Sequence, residues 1–160
     1  MFRTILIATD GLEAGDAAVQ YGRDLALEQR CRLRILHVDE LIPARGGVHH
    51  LQPLEPEIRA KIRDQVSDLQ EDGLDADFEI RQVVAKSPAH AIAGAANAVD
   101  ADLIVLGQVE GGPVRGMLKG RLAGRLMQLA RCAVLVVPRR REPVEKGRVQ
   151  LRVVDFTAEA

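Results

Sequence analysis

Short apolar runs alternate with helical segments along this chain, and that alternation narrows the folds it can adopt. Residues 2–9 are nearly all apolar and end at Asp10-Gly11, which predicts a strand buried on both faces. Residues 14–29 then place apolar side chains at helical spacing, and a second apolar run occupies residues 33–38. Strand, helix and strand in this order predict a βαβ unit, because two parallel strands need a crossover connection.

The alternation repeats as far as residue 138. Further strands are predicted at residues 77–84, 102–107 and 132–138. The intervening helices are marked by Ile58, Ile62, Val66 and Leu69, by Ser87-Pro88 as N-cap and first helical residue, and by Leu118, Leu122, Leu126 and Leu129. This order predicts an α/β fold, a doubly wound parallel sheet of five strands with helices on both faces.

Ligands bind such sheets outside the carboxyl ends of the strands, at the point where the strand order reverses. Asp10, Val38 and Gly107 each stand at the end of a predicted strand. The sequence therefore predicts that these three residues meet at one crevice.

Three segments fall outside the alternation. Residues 39–54 carry two prolines and a Gly-Gly pair, and residues 107–120 carry five glycines, so both are predicted to be loops. Loops longer than about 12–15 residues are usually functional or disordered. Residues 1–138 form the predicted domain. Residues 139–160 form a C-terminal extension, in which residues 149–154 are predicted to make an edge or exchanged strand.

The composition is that of a globular protein, with 47% hydrophobic and 28% charged residues. No apolar run reaches the roughly 18 residues that a membrane-spanning helix needs, and the first apolar run is too short for a signal peptide. The two cysteines, Cys31 and Cys132, cannot build a disulfide framework or a zinc site, and Cys132 is expected to act as a small hydrophobe. These features predict a cytoplasmic protein.

The net charge of −1 is the sum of two opposed regions. Residues 51–80 hold nine acids and three bases, whereas residues 111–141 hold eight bases and no acid. Such a basic cluster attracts anions. Nucleic acid is not the expected partner, because helical spacing sends these arginines to several faces and aromatic residues make up only 2% of the chain.

Several motifs stand at the ends of the predicted strands. They are Thr9-Asp10-Gly11, His37-Val38, Asp-Leu-Ile-Val-Leu-Gly at residues 102–107 and, after a glycine-rich segment, Val-Leu-Val-Val-Pro at residues 134–138. With these motifs, residues 2–138 resemble the universal stress protein family. The resemblance implies a sheet of strand order 3-2-1-4-5 and a homodimer formed through the last core strand. One branch of the family binds ATP or a related adenine nucleotide, and the other lacks the binding loop.

The last core strand is Val134, Leu135, Val136 and Val137 in this sequence. An apolar edge strand invites aggregation unless it is covered, and antiparallel pairing across a twofold axis would cover it. The strand predicted at residues 149–154 could instead cover the same edge. A homodimer through the last strand is the prediction.

The nucleotide-binding branch carries a loop of the form Gly-x2-Gly-x9-Gly-(Ser/Thr), whose glycines let backbone N–H groups approach phosphates. Gly107 and Gly120 match the outer glycines, whereas Glu110 stands at the middle glycine and Arg121 at the hydroxyl position. Glu110 puts negative charge where phosphates would lie. The neighbouring Gly111-Gly112 could replace the missing glycine if the loop shifts by one residue.

Arg121 has three interpretations. A cation in the first turn of a helix opposes the helix dipole by about 0.3–1 kcal/mol, so Arg121 could mark lost nucleotide binding. Its guanidinium fork also fits a phosphate, which would make it a replacement ligand. The structural alternative is a solvated arginine at a helix end.

The resemblance also implies a set of binding residues. Ala8, Thr9 and Asp10 would line the adenosine side, Val38 would contact adenine through its backbone, and Leu106 with Gly107 would close the pocket. Gly111, Gly120, Arg121 and Leu122 complete the implied set, and Mg2+ is the expected companion of the nucleotide. Asp10 also has a structural interpretation, because an acid at a strand-to-helix turn often caps the next helix.

The histidines give no further site. His49-His50 lie in the predicted loop with no cysteine cluster near them, so they are expected to be solvated, and no metal ligands are predicted. His37 lies in a core strand and is expected to be buried and hydrogen-bonded, whereas His90 is expected to be exposed.

Catalysis has no support in the sequence, because no nucleophile–base signature, phosphate-binding P-loop or dinucleotide fingerprint occurs. The prediction is a cytoplasmic regulatory or binding module that acts as a homodimer in stress response and carries a degenerate nucleotide loop. The alternative is an adenine-nucleotide-binding protein that uses Arg121 as a substitute phosphate ligand, with slow hydrolysis at most.

Overall fold

A computed structural model of the chain describes residues 1–51, 55–84, 87–108 and 116–138, with the backbone alone for residues 116–120. Six strands lie in these ranges: β1 (Thr4–Thr9), β2 (Arg32–Ala44), β3 (Gly47–His50), β4 (Ala76–Val84), β5 (Leu103–Gly107) and β6 (Ala133–Val137). Four helices connect them: α1 (Glu13–Gln29), α2 (Glu55–Glu71), α3 (Pro88–Ala98) and α4 (Gly116–Leu129). All nine predicted elements of the core are present, and β3 is an addition.

Five of the strands form a parallel sheet in the order β4-β2-β1-β5-β6. This arrangement confirms the predicted α/β class and its doubly wound sheet. The sheet differs from the predicted order 3-2-1-4-5 in one detail, because the sixth strand, β3, pairs antiparallel with β2.

The prediction of a loop over residues 39–54 is wrong for most of that segment. β2 continues to Ala44, because β4 stays hydrogen-bonded beside it as far as the pair Leu41–Val84. Gly46 and Gly47 then turn the chain with φ of 97° and 141°, values that side chains of other residues rarely allow, and β3 returns along β2. Residues 52–54 lie outside the described residues.

β3 stands beyond the carboxyl end of β1. A strand has two edges, and β4 takes one edge of β2 from Leu33 to Leu41. Leu41 also pairs with His50, so β3 occupies the other edge, on which β1 pairs with residues 32–37. The hairpin of β2 and β3 therefore borders the crevice predicted at the end of β1.

Two hydrophobic clusters cover the two faces of the sheet. One contains the predicted stripe Ile58, Ile62, Val66 and Leu69 of α2 together with α1 residues, and all four side chains of the stripe are buried. The other joins α3 and α4 to the opposite face, with Leu126 fully buried and Cys132 packed at its margin. Burial raises the pKa of the Cys132 thiol, and the expectation that this residue acts as a small hydrophobe is confirmed.

One local prediction is confirmed in position and another needs correction. Ser87 is the N-cap residue of α3 and Pro88 its first residue, as predicted, although the Ser87 side chain makes no capping hydrogen bond. The loop predicted over residues 107–120 is shorter than expected, because α4 already begins at Gly116. Residues 109–115 are outside the described ranges.

Among the described residues, no helix combines the length and the hydropathy that a bilayer-spanning segment requires. The predicted extension, residues 139–160, and the strand predicted in it at residues 149–154 also fall outside the part of the chain that the structure describes.

Candidate functional site

The carboxyl ends of β1, β2 and β5 meet at one edge of the sheet. β1 lies between the other two, with Thr9 paired to His37 of β2 and Ala8 paired to Leu106 of β5. The structure thus brings together six residues of the implied nucleotide site: Ala8, Thr9, Asp10, Val38, Leu106 and Gly107. Thr9 and Leu106 are buried, and the other four are half-buried.

Thr9 and Asp10 organise the turn between β1 and α1. The N–H of Gly11 donates to Oγ1 of Thr9 at 3.0 Å, and the N–H of Leu12 donates to Oδ1 of Asp10 at 3.0 Å. Gly11 has φ of 70° and is buried against Ile58, so a side chain at this position would be strained and would overlap its neighbour. Asp10 therefore holds the turn before α1, but it does not cap that helix, whose N-cap residue is Leu12 and which has no side-chain capping bond.

Gly107 ends β5 against the first turn of α1. A Cβ atom at this position would overlap the carbonyl group of Ala14. This contact requires glycine for packing between helix and strand, whether or not a phosphate binds nearby. The match of Gly107 to the nucleotide loop is therefore not by itself a sign of phosphate binding.

The backbone of Val38 faces the crevice. Two hydrogen bonds show which way the backbone of β2 faces: the N–H of Arg32 donates to the carbonyl of Arg3, and the N–H of Leu51 donates to the carbonyl of Glu40. The even-numbered residues of β2 therefore turn their backbone N–H and C=O groups toward the edge that β1 and β3 share. Val38 has the same parity. Its N–H therefore lies against the carbonyl of Thr9, the last residue of β1, and its C=O points into the space between the end of β1 and Leu51.

A buried polar network adjoins this edge. The ring of His37 is 2% exposed, and its Nδ1–H donates to the carbonyl of Thr9 at 3.0 Å. Its Nε2 lies 3.0 Å from Oε2 of Glu55, the first residue of α2, which is also 2% exposed. The expectation of a buried, hydrogen-bonded His37 is confirmed, and this ring ties α2 to the end of β1.

Arg59 joins Glu55 to a second buried carboxylate. Its Nε donates to Oε1 of Glu55 at 2.9 Å, and its Nη2 donates to Oδ2 of Asp39 at 2.6 Å. Asp39 is 1% exposed and also accepts from Nε2 of Gln82 at 3.0 Å. Burial of the Asp39 carboxyl opposes its ionisation, but hydrogen bonds from His50, Gln82 and Arg59 outweigh burial and lower the pKa of Asp39.

His50 is more than a solvated loop histidine. It lies in β3, and its Nδ1 is 2.7 Å from Oδ1 of Asp39, although 44% of its side chain is exposed. One donor atom each of Asp39, His50 and Glu55 lie within 4.8 Å of one another. His49, His50 and His90 are all exposed, as expected, but the expectation missed the contact of His50 with Asp39.

Sequence reasoning missed Asp39, Glu55 and Arg59. One signal for Asp39 was available, because it continues the row of alternate residues Leu33, Ile35 and His37, all of which are buried. An acid in such a row is a buried carboxylate that needs partners. Glu55 and Arg59 carry no comparable signal, since an acid and a base four residues apart are common on exposed helices.

The structure places the phosphate side of the implied site differently from expectation. Gly120 and Arg121 lie in the second turn of α4, so Gly120-Arg121 does not open that helix and Arg121 is not a cation in its first turn. The Arg121 side chain is exposed, and Leu122 is half-buried against the cluster of α3 and α4. Glu110, Gly111 and Gly112 fall outside the described residues.

Comparison with known proteins agrees with the motifs. The family model described as the universal stress protein family matches residues 1–138. Universal stress protein YxiE of Bacillus subtilis is 26% identical over 147 residues, which cover 86% of this chain and 99% of that protein.

Two solved structures are similar at the level of sequence and fold. A universal stress protein from Burkholderia pseudomallei is 26% identical with a TM-score of 0.61, covering 84% of this chain and 95% of its own. A universal stress protein crystallised in complex with cAMP is 26% identical with a TM-score of 0.60, covering 85% of this chain and 96% of its own.

Proposed function

The chain belongs to the universal stress protein family, and within that family we propose that it binds an adenine nucleotide at the crevice formed by the carboxyl ends of β1, β2 and β5. The proposed role is that of a regulatory binding module. The observation that carries the proposal is the backbone carbonyl of Val38, which faces the gap between the end of β1 and Leu51.

A backbone carbonyl accepts a hydrogen bond, so it matches a base with an exocyclic amino group on the edge that enters the crevice. The 6-amino group of adenine is such a donor. Guanine presents an oxygen acceptor at position 6, so it cannot make the same bond there. The crevice therefore favours adenine over guanine.

The surroundings of Val38 fit the rest of a nucleoside monophosphate. Thr9 and Asp10 line one side of the gap, and Gly107 ends β5 beside β1. The relative that was crystallised with cAMP supports an AMP-type ligand, since cAMP is an adenine nucleotide. Arg121 is the proposed phosphate ligand.

Thermal unfolding in the presence of nucleotide tests the proposal. A ligand that binds only the native state raises the melting temperature by mass action. Millimolar AMP, cAMP, ADP and ATP should each be compared with the matching guanine nucleotides. A rise with the adenine series alone is expected, and no rise with any adenine nucleotide would remove the proposal. Nucleotide released from protein purified from cells would be independent support.

We also propose that the protein is a homodimer through β6. In the part of the chain that the structure describes, β6 pairs only with β5, and Val136 on it is 39% exposed. Pairing with a second β6 across a twofold axis would satisfy this edge. Light scattering should give a dimer both for the full chain and for a truncation after Pro138. Stable monomers in both cases would contradict the proposal.

A further inference from the structure

The cluster of Asp39, His50 and Glu55 has the donors of a metal site, and the nucleotide proposal does not use it. The three residues come from three successive elements: Asp39 from β2, His50 from β3 and Glu55 from the start of α2. Each offers one ligand atom, and these atoms lie within 4.8 Å of one another. We propose that this cluster binds a divalent transition-metal ion with Asp39, His50 and Glu55 as its protein ligands.

The spacing of the donors suits one ion. Bonds from zinc to oxygen and nitrogen ligands are about 2.0–2.2 Å long, so two ligands of one ion are at most about 4.4 Å apart. Donors that already lie within 4.8 Å need only a small shift to share an ion. His50 and Asp39 are closer, at 2.7 Å, and the proton between them would be displaced when the metal binds.

The outer contacts of the two carboxylates are those of a supported metal site. Arg59 and Gln82 both bind Oδ2 of Asp39, which leaves Oδ1 facing His50. Arg59 and His37 hold the two oxygens of Glu55. Such partners fix the orientation of ligating carboxylates, and their removal typically weakens metal binding by about 10- to 100-fold.

The charge balance permits a cation once one proton leaves the cluster. Both ring nitrogens of His37 face acceptors, so His37 and Glu55 hold one proton between Nε2 and Oε2, and with Asp39 and Arg59 the cluster is neutral. A metal ion that binds Glu55 displaces that proton and then meets a net negative cluster. Both carboxylates are almost fully buried, whereas His50 is 44% exposed, so the ion would enter from the β3 side. Three protein ligands leave at least one coordination position for water.

The donor set selects the class of metal. One imidazole and two carboxylates suit zinc and other divalent first-row transition metals, whereas magnesium and calcium take oxygen ligands. Zn2+ and Co2+ are therefore the expected ions, and Mg2+ is the natural negative control. Co2+ adds a readout of its own, because its visible absorption reports the ligands directly.

Calorimetric titration of the EDTA-treated full-length chain with Zn2+ tests the site, and His49 supplies a matched control. His49 is the exposed neighbour of His50 in β3. His50→Ala should weaken Zn2+ binding by at least about tenfold, because losing even an outer partner of a metal ligand has an effect of that size. His49→Ala should leave the affinity for Zn2+ unchanged. Zn2+ should also raise the melting temperature of the wild type and of His49→Ala. Mg2+ in place of Zn2+ should raise the melting temperature of neither protein.

Two results would overturn the inference. One is a wild type that binds Zn2+ no more tightly than His50→Ala. The other is an equal loss in both histidine variants, which would indicate surface binding through any exposed imidazole. If His50→Ala does not fold, the wild type decides, since a Zn2+ titration with no more binding heat than the Mg2+ titration excludes the site. None of these measurements depends on nucleotide, so failure here leaves the nucleotide proposal intact.

Discussion

Gly107 at the end of β5 lies directly against the carbonyl group of Ala14 in the first turn of α1, and no side-chain carbon fits between them. The contact locks the helix that follows β1 onto the strand beside it. Since Thr9 and Asp10 stand in the turn that precedes this helix, the position of the crevice depends on a glycine that need not touch a ligand.

Replacing Gly107 with alanine should therefore destabilise the protein. Overpacking of a close contact costs about 1–3 kcal/mol, and urea denaturation should show a loss of free energy of unfolding in that range. Gly124→Ala is the matched control, because Gly124 lies in α4 with open space around it, and alanine there should raise stability by about 0.5–1 kcal/mol. Equal stability of the wild type and Gly107→Ala would refute the packing role.

Arg59→Ala should destabilise the protein strongly. The change leaves Asp39 and Glu55 buried without the cation that binds both, and removal of one partner from a buried ion pair costs about 3–5 kcal/mol. The lower end is expected, because a third of the Arg59 side chain is exposed. Arg63→Ala, an exposed arginine one turn along α2, should change the free energy of unfolding by less than about 0.5 kcal/mol.

Asp39 should contribute a pH dependence to stability. Its pKa is lower in the folded protein than in the unfolded chain, where it is about 3.9, so its contribution is complete above that pH. As the pH falls below the unfolded value and through the folded one, the contribution is lost. Asp39→Asn should thus be less stable at neutral pH and should lose less stability between about pH 5 and pH 2 than the wild type.

Denaturant unfolding as a function of pH measures the difference. The exposed Asp68 on α2 offers a control, and Asp68→Asn should follow the wild-type profile. An Asp39→Asn profile parallel to that of the wild type would show that the buried carboxylate is not linked to acid unfolding.

Arg121 is expected to contact phosphate if nucleotide binds. Arg121→Ala should then weaken AMP binding by about tenfold or more, since a hydrogen bond to a charged group contributes about 1.5–3 kcal/mol. Arg121→Ser should change the affinity as well, because serine restores the hydroxyl of the family's loop. Arg125→Ala removes a similar exposed charge one turn further along α4 and should have little effect. Equal affinities of the wild type and Arg121→Ala would show that Arg121 is not the phosphate ligand.

Hydrophobic periodicity alone predicted the order of the core elements. The runs at residues 2–9 and 33–38 and the stripe from Ile58 to Leu69 are local patterns, and burial of those side chains in the folded protein follows from them. The meeting of Thr9, Val38 and Gly107 at one edge also followed, because parallel strands bring their carboxyl ends together.

The hairpin of β2 and β3 could not be predicted in this way. Its segment contains Pro43 and the Gly46-Gly47 pair, which locally favour a loop. The strand exists because β4, more than thirty residues further along the chain, supplies hydrogen-bond partners up to Leu41. Pairing between distant segments has no local signature, so only the tertiary structure places His50 beside Asp39.

The sequence by itself determined the fold class, the strand ends that form the crevice and the family, because these depend on local periodicity and on short motifs. The tertiary structure decided which polar residues meet there. Asp39, Glu55 and Arg59 are each unremarkable in sequence, and they become a buried network only when β2, β3 and α2 close around them. The physical reason is that a buried charge must find its partners in space, and those partners are set by packing between elements rather than by their order along the chain.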